Sequence, residues 1–139
     1  MVIACCTVTT LQTKDSFVVR KRVLIVDDHE VMRKALRTVL EMSGDLRVCG
    51  EASDGVEAID KARELKPDLI LLDIAMPRLT GIATASVLKQ TFPTVKVGFC
   101  TFYPEAGKKV ASSLGVDLVV GKSENADRII DQLRTALNS

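Results

Sequence analysis

Four apolar runs in this chain end in polar groups able to do chemistry. VLIV leads into Asp27-Asp28, LILL into Asp73, VGFC into Thr101 and LVVG into Lys122. If each run is a parallel strand, its carboxyl end lies on one edge of the sheet, and groups distant in sequence meet there. Three carboxylates in one pocket repel each other, which makes little sense for stability but does for a divalent cation. Their oxygens are hard ligands suited to Mg²⁺, and an ammonium beside them can pair with an anion. Taken singly, each group has a plainer reading. An acidic pair after a strand is commonly a turn or helix cap, Asp73 could cap the next turn, and Thr is favoured in strands. A Lys at a strand end is nearly always a solvated charge. It is the convergence of all five that favours a site.

The elements that must position them follow from the apolar pattern. Short runs rich in Val, Ile and Leu, each followed by a helical stripe, read as strands buried on both faces. Strands are expected near 22–27, 46–51, 68–73, 95–100 and 117–120, and helices near 30–43, 55–65, 80–91, 104–114 and 123–137. The first helix carries Val31, Ala35, Leu36, Val39 and Leu40 on its stripe, and the second Val56, Ile59, Ala62 and Leu65. The third carries Ile82, Ala85, Leu88 and Phe92. Pro104 suits the first turn of the fourth, and Ser123 is the expected N-cap of the fifth. Strand–helix alternation repeated five times indicates a doubly wound α/β fold, here a five-stranded parallel sheet. Residues 1–20 show no helical stripe and are read as a flexible N-terminal extension, leaving 21–139 as one domain.

Composition narrows the function classes. The 139 residues carry 19 Lys and Arg against 18 Asp and Glu, a net charge of +1. That balance gives no general case for nucleic-acid or membrane binding by this chain. Aromatic residues are few and Trp is absent, which argues against stacking platforms for bases. No apolar run approaches a membrane span. Cys5, Cys6, Cys49 and Cys100 have no CxxC spacing and His29 is the only histidine, so a zinc site is not expected. Cys49 and Cys100 fall in strand-like runs and read as small core residues. This cysteine usage fits a reducing, cytoplasmic setting.

The chain resembles the receiver domain of two-component response regulators. VLIVDDHEVMRKALRTVLE is similar to that family's first strand, acidic pair and first helix. PDLILLDIAMPRLTGI resembles its phosphoacceptor strand, Met-Pro turn and glycine, here Met76, Pro77 and Gly81. Thr101 and Lys122 fall at the ends of the fourth and fifth strands. The likeness spans about residues 22–137, and the DDH opening with VCGEASDGVEAI is most similar to receivers of the nitrate-response type, which usually precede a helix-turn-helix domain. It implies a flavodoxin-like (βα)5 fold with strand order 2-1-3-4-5.

The resemblance also implies roles. Asp73 is the phosphoacceptor, taking a phosphoryl group from a histidine kinase, a phosphotransfer protein or a small phosphodonor. Asp28, Asp73 and the backbone carbonyl of Ala75 bind Mg²⁺, with Asp27 acting through water. Lys122 pairs with a phosphoryl oxygen and Thr101 hydrogen-bonds the phosphoryl group. His29 is read as a first-turn or surface residue. The chain is then a switch that signals to a downstream protein by changing its partner surface, with a homodimer allowed, and is not an enzyme with turnover. Three positions vary from the family pattern: Val119 stands where an aromatic is usual, Phe102 is bulkier than the small residue often found after the Thr, and Ser123 replaces the common Pro. The rivals are a constitutive interaction module with the same fold and a receiver fragment of a DNA-binding regulator.

Overall fold

A computed structural model describes residues 19–76 and 79–139. Residues 1–18, most of the expected extension, and Pro77 of the expected Met-Pro turn lie outside the described residues. Five strands alternate with five helices. The strands are β1 (Lys21–Val26), β2 (Leu46–Ala52), β3 (Leu69–Asp73), β4 (Lys96–Thr101) and β5 (Leu118–Gly121). The helices are α1 (Glu30–Glu41), α2 (Gly55–Leu65), α3 (Gly81–Thr91), α4 (Pro104–Leu114) and α5 (Ala126–Leu137). All strand pairs are parallel and the order is β2-β1-β3-β4-β5, as the resemblance implies.

Successive strand residues face opposite sides, and both sides are covered. Val23, Ile25, Leu69, Leu71, Cys100 and Val120 pack with Leu36 and Leu40 of α1 and with Ile129, Ile130 and Leu133 of α5. Leu24, Val26, Ile70, Leu72, Val97 and Phe99 pack against Ala58 and Ala62 of α2, Ala85 and Leu88 of α3 and Ala111 of α4. Small residues on α2 to α4 let those helices approach the sheet closely. The absence of polar alternation in β3 and β4 follows from this double burial, whereas the edge strand β2 keeps Arg47 and Glu51.

Local chemistry fixes the helix starts. Asp54 accepts from the Glu57 N–H at 2.9 Å, Thr80 from the Ala83 N–H at 3.2 Å, and Asn125 from the Arg128 N–H at 2.9 Å. Asn125, not Ser123, therefore caps α5, which begins three residues later than expected. The expected stripes also need correction at their N-terminal ends: Val31 and Ala35 of α1 and Val56 of α2 are exposed, while Met32 packs inward.

Register brings the site together. Val26 pairs with Leu72, so Asp27 and Asp73 follow side by side, and Thr101 pairs with Gly121 immediately before Lys122. Gly81 closes the loop after Asp73 by donating its N–H to the Ile74 carbonyl at 2.8 Å. A Cβ on Gly81 would lie 2.1 Å from the Asp73 carbonyl oxygen, whereas Gly44, at φ +84°, faces open space. Gly81→Ala is therefore expected to cost about 2–3 kcal/mol, as overpacking against fixed backbone does. Gly44→Ala should cost only about 1 kcal/mol, from its left-handed backbone. Urea unfolding checks both, and a Gly81→Ala variant as stable as the wild type would contradict the close approach.

Candidate functional site

Asp27 and Asp73 stand one residue past β1 and at the last position of β3, and Lys122 reaches them from the end of β5. Its Nζ lies 2.9 Å from Asp27 Oδ2 and 3.3 Å from Asp73 Oδ1. These are buried charges: the Asp27 side chain is 1% exposed and that of Lys122 5%. Asp28 lies at the mouth of the pocket, partly exposed. The sequence expectation placed all four here, and it is chiefly strand register that brings Asp27-Asp28, Asp73 and Lys122 together.

Burial raises the Asp73 carboxyl above its ordinary value; the Asp27 charge adds to this while Lys122 opposes it. For Lys122 burial works to lower the value, but the hydrogen bond to Asp27 and the charge of Asp73 outweigh it and hold the ammonium above its usual range. Lys122 therefore stays charged at neutral pH and offsets only part of the acidic cluster.

The other expected residues sit around this core. Thr101 is buried at the end of β4, and its Oγ1 accepts the Tyr103 N–H at 3.1 Å. Ala75 lies two residues beyond Asp73, and its backbone hydrogen-bonds the Asp73 carboxylate. A groove of about 640 Å³ opens over Asp73, Thr101 and Lys122, walled by Ile82, Phe102 and Tyr103. His29 precedes α1, exposed, with Nδ1 3.1 Å from Asp28 Oδ1. Cys100 is buried beneath the site; burial pushes its thiol up to about 12, so it packs as an inert core group.

One supporting network was not legible in the sequence. Arg33 of α1 donates to the Asp27 carbonyl at 2.6 Å and to Glu51 Oε1 at 3.0 Å, and Arg37 donates to Glu51 Oε2 at 2.7 Å. Burial works to raise the Glu51 carboxyl, but the two guanidiniums prevail and hold it below its ordinary value. This ties the acidic loop to β2. Nothing in the spacing of Arg33 and Glu51 announces the contact, because it depends on where α1 crosses the strand.

Among the described residues, Asp27, Asp28, His29 and Asp73 bring potential ligand atoms within 4.8 Å of one another. Three carboxylates supply hard oxygen donors, a set that fits Mg²⁺ better than a soft metal.

The sequence model of the response regulator receiver domain matches residues 23–134. This chain belongs to that family. It is 38% identical over 119 residues to the response regulator protein VraR of Staphylococcus saprophyticus, covering 85% of this chain and 57% of that protein. The VraR of Staphylococcus aureus strain COL is 41% identical over 115 residues, 81% of this chain and 54% of that protein. The chain thus spans little more than half the length of these curated relatives. Among solved structures, the response regulator domain of Thermotoga maritima CheB superposes with a TM-score of 0.79 at 33% identity, covering 86% of this chain and 98% of that one. The receiver domain of the putative response regulator NarL from Mycobacterium tuberculosis superposes at 0.81 with 26% identity, covering 87% and 98%. The chain is a two-component receiver domain, akin to the nitrate-response type.

Mg²⁺ affinity should fall as pH drops, because protonating a carboxylate removes both a ligand and its charge. The raised Asp73 value moves this loss to higher pH than a free aspartate, near 3.9, would give. Asp28→Ala should weaken binding by about tenfold or more, since even groups that only support a ligand cost that much. Metal titration at several pH values checks both; equal affinity in wild type and Asp28→Ala would contradict the assignment.

Proposed function

We propose that this receiver accepts a phosphoryl group on Asp73. The observation that carries the reading is the buried Lys122 ammonium held between Asp27 and Asp73. A cation placed there already stands beside the oxygen that would carry the phosphoryl group. An Asp73 Oδ bonds to phosphorus while the bond to the donor group breaks, and the donor leaves with the electron pair. Lys122 then pairs with a phosphoryl oxygen, and Thr101 turns its hydroxyl from the Tyr103 amide towards another. Asp28, Asp73 and the Ala75 carbonyl would hold Mg²⁺, with Asp27 acting through water. When bound, the ion neutralises charge on the phosphoryl oxygens, which matters more in this chemistry than acid–base catalysis. Residues 21–139 form the accepting unit.

The phosphodonor is a histidine kinase, a phosphotransfer protein or a small acyl phosphate, and the output is a change in partner surface. The chain has no helix among its described residues long and apolar enough to cross a membrane, and we place it in the cytoplasm. A second reading has a specific observation behind it. Because the chain covers 57% and 54% of the VraR proteins it matches, it corresponds to the receiver part of a longer regulator, where the output is carried by another domain. A constitutive module is less well supported, because three carboxylates gathered around one ammonium leave an excess of negative charge that suits a bound cation.

Incubation with Mg²⁺ and acetyl phosphate should add one phosphate to the intact mass, removable by mild alkali. Asp73→Asn should abolish the gain, and equal labelling of that variant would reject Asp73 as the acceptor.

A further inference from the structure

Phe102 stands against the buried Lys122 ammonium. Its ring centroid lies 5.3 Å from Lys122 Nζ. The ammonium has three N–H donors. Asp27 and Asp73 flank it at hydrogen-bonding and ion-pairing distance, and the aromatic face takes a further side. Phe102 itself is 56% exposed and belongs to neither apolar core. Core packing therefore does not account for a large ring at this position. The ring lines the groove that leads to Asp73 and Lys122, and Lys122 is almost fully covered although it lies at a surface groove.

We propose that Phe102 is a gating residue that restricts small molecules at the phosphorylation site while leaving a docked protein donor able to displace it. The inference rests on Asp73 being the acceptor. Loss of the phosphoryl group requires a water oxygen to bond to phosphorus as the Asp73 Oδ–phosphorus bond breaks. The carboxylate keeps the electron pair, and the water proton passes to solvent with release of inorganic phosphate. A small phosphodonor reacts in the reverse geometry, with its leaving group in the place of that water. Both must pass the groove and approach an ammonium that Phe102 covers. A protein donor gains binding energy over a wider surface, which can move an exposed loop ring; water and acetyl phosphate have no such source. The ring therefore slows both small-molecule loading and spontaneous loss, and lengthens the signal.

The test measures labelling by acetyl phosphate with Mg²⁺, and loss of label after the donor is removed, in wild type, Phe102→Ala, Phe102→Leu and Phe102→Tyr. Phe102→Ala should raise both rates by about 2- to 5-fold, the rate equivalent of a cation–π contact at a partly exposed site. Phe102→Leu, which keeps bulk but not the π face, should fall between, and Phe102→Tyr should match wild type. An NMR readout separates this from a general structural effect. The Lys122 ε-methylene protons should be shielded by the ring in wild type and Phe102→Tyr, and return to ordinary lysine positions in the other two. Rates in Phe102→Ala equal to or below wild type, or unshielded Lys122 protons in wild type, overturn the gate. Labelled wild type with unchanged Phe102→Ala rates overturns the gate alone. Failure of every variant to label overturns the Asp73 assignment and the gate together.

Discussion

The Lys122 ammonium between Asp27 and Asp73 is the constraint on which the rest of this domain depends. Burying three charged groups at one sheet edge costs free energy unless they are paired and hydrogen-bonded. The pairing here is good, but it is incomplete: one ammonium faces the three carboxylates of Asp27, Asp28 and Asp73. The cluster is therefore held short of neutrality. A cation can relieve that excess, and under the proposed function the ammonium is also the partner for a phosphoryl group on Asp73. Stability and function meet in the same contacts, because the groups that need a ligand are the ones the sheet cannot move apart.

The fold's job is to fix that geometry from residues 95 positions apart in the chain, the span of the Lys122–Asp27 contact. Parallel register does most of it. Gly81 draws the start of α3 against the Asp73 backbone, and Arg33 pins the Asp27 carbonyl from α1. These two supports act on the backbone of the loop, while the Asp27 carboxylate is oriented separately, accepting from the His29 N–H at 2.9 Å and from Lys122 Nζ at 2.9 Å.

Much of this was legible in the residues. Double burial erases polar alternation, so β1, β3, β4 and β5 stand out as apolar runs, and each candidate group lies where one of them stops; the edge strand β2, LRVCGEA, keeps polar residues. Helix boundaries were less legible where two residues competed for one role. Ser123 and Asn125 can both cap a helix, and the tight turn after Gly121 decides for Asn125. Val31, Ala35 and Val56 fit the helical period yet are exposed, because periodicity says which face a residue shares but not whether the sheet extends beneath it. Contacts made by long side chains across elements, Arg33 to Asp27 and Phe102 over Lys122, left no trace in spacing. Val119 shows the same limit in another form. The sequence reveals that no aromatic occupies its position, and the structure adds that α4 comes close there. A Cβ on Gly107 would lie 3.2 Å from Val119 and 3.3 Å from the Thr101 methyl group. Gly107 thus lets α4 lie close to both Thr101 and Val119, with no aromatic ring between them.

Asp27, Asp28, Asp73 and Lys122 are proposed to hold a metal ion and a phosphoryl group together. Thermal unfolding with Mg²⁺, with beryllofluoride, and with both tests it most directly, because beryllofluoride mimics a phosphoryl group on a carboxylate. Tm should rise with both present by more than the sum of the separate effects, and that rise should be lost in Asp73→Asn. Stabilisation by beryllofluoride without Mg²⁺, or undiminished in Asp73→Asn, would contradict it.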